Sequence, residues 1–272
     1  MDSFLFWVFL IGIIVATLQD LKRREVDNWL NLLLLLISFS YVFFRAIFEK
    51  NIFLVSLVTF VLIIMFVVMN LFYYGRVFGG GDAGLLFAMS VFFVGTTFYE
   101  SVINIGIFIL LLIVSGAVYG LAFSFVLYFK NFKKINSQMK KEFGKIKKVA
   151  LCSVAIGVLF FFFCFFSFVF FLFSIFFFLF PFLYVFARGV EKISMTRDIS
   201  GEKLREGDWL VRDERVKGKI IKANWEGVSS EEVKMLRSKK KVRIKEGIPF
   251  VPAFLVALIL YALINLTNIF GI

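Results

Sequence analysis

Apolar residues in this chain come in long runs, separated by short segments in which the charges gather. A run of about 18 apolar residues is long enough to cross the hydrocarbon core as a helix. Such runs lie at 3–19, 29–48, 52–74, 102–128 and 249–270, with a shorter one at 83–98 and an unusually long, Phe-rich one at 149–187. One helix over 149–187 would be about 58 Å long, at about 1.5 Å per residue, against a hydrocarbon core of about 30 Å. The pattern therefore predicts two helices there, folded as a hairpin with its turn near Ser167. Residues 3–19 are read as a retained first span rather than a removed signal peptide, because no basic n-region or small-residue cleavage site accompanies them.

Only 188–248 departs from this pattern. Residues 207–211, 218–222 and 241–245 read as short strands, and Ser229-x-x-Glu232 is a capping box that opens a short helix. The expectation is an all-α polytopic membrane protein, a bundle of about eight spans within a range of six to eight, carrying a small cytoplasmic α+β subdomain. The divisions are a transmembrane core at 1–128, a basic cytoplasmic loop at 129–148, the Phe-rich hairpin at 149–187, the subdomain at 188–248 and a C-terminal span at 249–272.

Composition agrees with a membrane protein. The chain is 61% hydrophobic with 41 Phe in 272 residues, well above the roughly 45–50% apolar content of soluble domains. The formal charge of +12 does not indicate nucleic acid, because Lys and Arg gather between the apolar runs, as they do in cytoplasmic loops and at anionic lipid. Of 31 Lys and Arg, three lie in 20–28, one in 75–82, eight in 129–148 and seventeen in 188–248. With the hairpin, all of these fall on the cytoplasmic side and only Arg45 and Lys50 lie outside. With a single long helix, 19 would lie outside. Histidine is absent, which removes His-dependent triads and His-ligated metals. Cys152 and Cys164 both sit in an apolar run without a CxxC pair, so they read as buried hydrophobes. No metal or cofactor is expected.

An ionisable group at membrane depth is costly and marks function. Of the nineteen acids, eleven lie in 188–248. Asp2 is terminal, Glu49 and Glu100 fall in outside turns, and Glu142 sits among lysines. Asp20, Glu25, Asp27 and Asp82 remain, all on the side assigned to the cytoplasm. Asp20 ends the first span, and Asp82 follows Gly79-Gly80-Gly81, where missing side chains allow close approach. Asp27, two helical turns beyond Asp20, is the alternative partner. Two neighbouring carboxylates titrate as a coupled pair and can divide acid and base roles without histidine, thiol or metal.

At these residues the chain resembles the archaeal prepilin and preflagellin peptidases, membrane aspartyl proteases of the GxGD type. Gly79-Gly80-Gly81-Asp82 corresponds to the GxGD signature, with Gly79 and Gly81 as its glycines. Asp20 through Asn28 resembles the first-aspartate segment, although Val26-Asp27-Asn28 stands where many members read Ile-Pro-Asn. Glu246 through Pro252 looks like the archaeal branch. The resemblance implies catalytic Asp20 and Asp82. Its substrates would be preflagellin or type IV prepilin precursors, cut at the cytoplasmic face of the cell membrane after a short basic leader, with Glu25 or Asp27 available to receive that leader. No cysteine-based zinc loop is present, so the resemblance implies peptidase activity alone. Two other readings use the same features. One is a presenilin or signal-peptide-peptidase type of intramembrane protease, and the other is a transporter with Asp82 as an ion site.

Overall fold

The structure, a computed structural model, describes residues 2–216, 218–224 and 226–267. The chain divides into two compact units, one formed by the stretch up to Leu121 together with that from Ile248, the other by Ala122–Gly247.

The first unit is helical. Helix α1 (Ser3–Arg23) is opened by Asp2, whose carboxylate accepts the Phe4 and Leu5 N–H groups at 2.9 and 3.2 Å. It is closed by Arg24 in the left-handed conformation (φ 61°), whose N–H returns to the Asp20 carbonyl at 2.7 Å. Such a left-handed cap satisfies an end carbonyl and turns the chain sharply. Helices α2 (Asn28–Phe48) and α3 (Ile52–Tyr74) follow. Then come the nine-residue α4 (Gly80–Ala88) and a 3-10 turn at Ser90–Phe93. Helix α5 (Phe98–Lys130) begins in this unit and runs past its boundary, and the C-terminal α9 (Val251–Thr267) completes it.

The expected span at 83–98 is not one helix. Helix α4 rises only about 13 Å, and extended backbone begins at Val94. Leu85, Leu86, Met89 and Phe93 are fully buried, so the apolarity of this segment serves the protein core rather than lipid. Hydropathy cannot separate those two uses when a run is this short. Phe93 packs against Phe108 of α5 and Tyr261 of α9, with ring centroids 4.8 and 6.0 Å apart.

Among the described residues, five helices are long and apolar enough to cross a membrane: α1, α2, α3, α5 and α7 (Phe168–Ser194). Residues Val251–Leu266 form a shorter apolar helix. The protein is thus a helical polytopic membrane protein. Residues 268–270 of the expected last span lie outside the described ones.

In the second unit, α6 (Phe132–Phe162) and α7 form a hairpin. Its turn falls at Ser167, whose hydroxyl accepts the Val169 N–H at 3.3 Å. The helices approach closely at Gly157, where an added Cβ would lie 3.3 Å from the Phe178 ring. Phe160 stacks on Phe170, Phe173 and Phe177. Residues 132–148, expected as a loop, are instead the basic first half of α6. Buried Glu142 accepts Gln138, Lys145 and Lys192 at 2.8, 3.1 and 2.9 Å, and the bonds from Lys192 and Lys145 hold its carboxyl down near 2. Lys192 lies on α7, so the cluster ties the two helices together.

The small sheet has the order β1 (Thr196–Ile199), β5 (Val242–Lys245), β2 (Trp209–Leu210), all antiparallel, with β3 (Glu214–Val216) and β4 (Lys219–Ile221) as a separate pair. Strands β1 and β3 lack the alternation that reveals β5. Helix α8 (Ser230–Leu236) carries the capping box expected at Ser229 and Glu232. Its Val233 and Leu236 join Leu210, Ile221, Val242 and Ile244 in a core separate from that of the helical unit.

Candidate active site

Asp20 lies on the last turn of α1 and is 4% exposed. Its Oδ2 accepts the backbone N–H of Val251, the first residue of α9, at 2.9 Å. The Phe250 N–H also faces this carboxylate, and the Arg24 charge acts on it. Asp20 therefore caps a helix that lies 231 residues further along the chain.

Asp82 is the third residue of α4 and half-buried. Helix α4 is not a span, and the carboxyl sits in its first turn, where the N–H of Gly79 at the N-cap faces it. An acid at this position satisfies an otherwise unpaired helix donor. Burial first, and the neighbouring Asp20 charge second, push the Asp82 carboxyl up to about 7, with the Gly79 N–H opposing them. The two aspartates, 62 positions apart in sequence, thus lie within electrostatic reach of each other. At neutral pH such an arrangement holds one carboxyl protonated beside an ionised one.

The glycines contribute unequally. A Cβ at Gly81 would meet the Val26 carbonyl oxygen at 3.1 Å and its nitrogen at 3.2 Å, so α4 begins in contact with the loop that follows Asp20. Gly79 has open space apart from Asp82 itself, whose Oδ2 would be 3.9 Å from an added Cβ. A Cβ there would touch the carboxylate at ordinary contact distance.

Asn31 was not singled out by the sequence reading. It is buried on α2, and its Nδ2 donates to the Gly81 carbonyl at 3.0 Å. A Cβ at Gly84 would lie 2.8 Å from the same nitrogen. Asn31 thus ties α4 to α2 at Gly81, where the Val26 backbone also lies close. The available signal was a polar residue inside an apolar run, which at membrane depth usually has a specific partner.

Asp27, the alternative partner, is engaged elsewhere. Its Oδ2 accepts Arg23 at 2.5 Å and the Trp29 indole at 3.1 Å. The Arg23 hydrogen bond holds its carboxyl below the usual aspartate range. Glu25 is exposed on the same loop.

A helical polytopic fold with two carboxylates brought together from distant helices is the arrangement expected of a membrane hydrolase that uses aspartate. Residues 7–121, the stretch that carries both Asp20 and Asp82, match the model of the type IV leader peptidase family. Its members are aspartic-type membrane peptidases. Neither the curated proteins nor the solved structures gave a match.

Proposed function

We propose that the protein is an aspartic endopeptidase that removes the short basic leader of archaeal preflagellins or type IV prepilins at the cytoplasmic face, with Asp20 and Asp82 as its catalytic pair. The observation that carries this reading is the convergence of two buried-side carboxylates, from α1 and α4, within the segment matched to the leader peptidase family.

The division of labour follows from the environment of each group. Protonated Asp82 donates to the scissile carbonyl oxygen, and ionised Asp20 takes a proton from the attacking water as its oxygen bonds to the carbonyl carbon. The tetrahedral intermediate then collapses as the C–N bond breaks. Asp20 passes its proton to the departing amine, and Asp82 recovers its own from the intermediate. Gly79 leaves the face of Asp82 uncovered, where an extended substrate backbone can lie.

The test uses purified full-length enzyme and a synthetic precursor with a basic leader ahead of a hydrophobic segment. Asp20→Asn and Asp82→Asn should each lower cleavage by roughly 10²–10⁴-fold while the protein still inserts in the membrane. Full activity in either variant would remove that residue from the mechanism. Cleavage within the hydrophobic segment would favour the presenilin-type reading, and ion flux without proteolysis would favour the transporter.

A further inference from the structure

We propose that the first turn of α9 is part of the peptidase apparatus, its backbone fixing Asp20 and its aromatic side chains seating the segment that carries Asp82. This deepens the peptidase reading and rests on it. The family match ends at residue 121, so nothing in that match assigns a role to residues 250–254.

Two sets of contacts converge on this turn. The Val251 N–H reaches Asp20 Oδ2 at 2.9 Å, and Val251 is itself fully buried. The rings of Phe250 and Phe254 pack on Phe78, with centroids 5.2 and 5.7 Å away. Phe78 lies four residues before Asp82 and stacks on Phe72 from its other side, at 4.8 Å. The Phe250 ring is held in turn by Gly116 of α5, where an added Cβ would lie 2.5 Å from Phe250 Cζ. One helical turn therefore touches both arms of the aspartate pair.

The prolines make the arrangement specific. Pro249 and Pro252 have no N–H to offer, and the Ala253 N–H bonds the Phe250 carbonyl at 2.9 Å. Val251, with Phe250 beside it, is left as a donor at the start of α9, and a helix start needs an acceptor for such groups. Asp20 supplies it. A local Ser, Thr or Asn would cap α9 equally well. Using a carboxylate of the proposed catalytic pair instead couples the geometry of the site to the seating of the last helix.

Val251→Pro tests this, because proline suits the first position of a helix while removing only its N–H. Val251→Ala, which keeps the N–H, is the matched reference. In the full-length enzyme, kcat of Val251→Pro should fall about tenfold or more below that of Val251→Ala, with KM within about twofold. Ile52→Pro, at the exposed first position of α3, should leave kcat unchanged. Equal kcat in the two Val251 variants would overturn the proposal.

Amide hydrogen exchange gives a second measurement that does not depend on Val251→Pro folding. In a peptide spanning 248–254, exchange should accelerate in Asp20→Ala and stay at the wild-type rate in Asp82→Ala. Equal exchange in wild type and Asp20→Ala would also overturn the proposal. Should the wild type cut no precursor, the peptidase reading fails by itself, and exchange still reports whether Asp20 holds α9.

Discussion

Replacing Asp82 with Asn should stabilise the protein, and by an amount that grows with pH. The folded carboxyl titrates near 7, against 3.8 for an ordinary aspartate. Between those values the unfolded chain releases a proton that the folded protein keeps, so rising pH favours unfolding. The stability contributed by the neutral carboxyl is complete below pH 3.8 and is lost as pH rises to about 7. Each pH unit of separation corresponds to about 1.4 kcal/mol, which sets the upper value at about 4 kcal/mol for the interval from 3.8 to about 7. Because the carboxyl is only half-buried, solvent screening brings the realised effect to about 2–3 kcal/mol. Asparagine has the same shape and no charge. The two proteins should therefore melt together near pH 4, and the variant should melt roughly 5–10 °C higher at pH 8. Thermal melts of both proteins in one detergent, at a fixed scan rate, read this difference directly. Asp27→Asn provides the opposite slope, since Arg23 favours the ionised form of that group. A pH-independent gap for Asp82→Asn, or a variant less stable at pH 8, would refute the coupling of Asp82 to burial and to Asp20.

Three further outcomes follow from the structure. Asn31→Leu leaves the Gly81 carbonyl without its 3.0 Å donor, and should cost about 1–2 kcal/mol and slow leader cleavage, read by melting and by peptide assay. Glu142→Ala breaks the lysine cluster between α6 and α7, and should lower the melting temperature by an amount equivalent to about 1–3 kcal/mol at pH 7. Because Glu142 titrates near 2 rather than 4.5, its contribution is present above pH 4.5 and fades as pH falls toward 2. The melting gap should close over that interval. For topology, Ser167→Cys in a chain with Cys152 and Cys164 replaced by Ala should react with an impermeant thiol reagent added outside the cell. Labelling of a cysteine at Arg188 from outside, with none at Ser167, would reverse the assigned orientation.

Much of the architecture is legible in one dimension because lipid imposes it. A helix crossing the bilayer must be long and apolar, and α1, α2, α3, α5 and α7 announce themselves that way. The hairpin at Ser167 follows from length alone, and α8 from its capping box. The reading weakens where apolarity serves packing instead of lipid, as in α4, whose leucines lie in the protein core. It weakens again in the basic half of α6, where charge suggested a loop but paired contacts to Glu142 and continuity with the Phe-rich run sustain a helix. Strands β1 (Thr-Arg-Asp-Ile) and β3 (Glu-Arg-Val) were silent because their polar residues are adjacent rather than alternating with apolar ones, as they do in β5.

For the candidate site, elimination among the acids selects Asp20 and Asp82, since few carboxylates lie near the ends of apolar runs. What surrounds them belongs to tertiary structure. Asn31 is one polar residue among leucines until its amide meets Gly81, and Asp27 remains a competitor until Arg23 and Trp29 occupy it. The Val251 N–H has no side-chain identity at all, so its bond to Asp20 leaves no mark in the sequence. Composition and periodicity determine which segments enter the membrane, because that depends on each segment's own transfer free energy. Which backbone donor meets which carboxylate depends on helix packing between distant segments, and only the folded chain decides it.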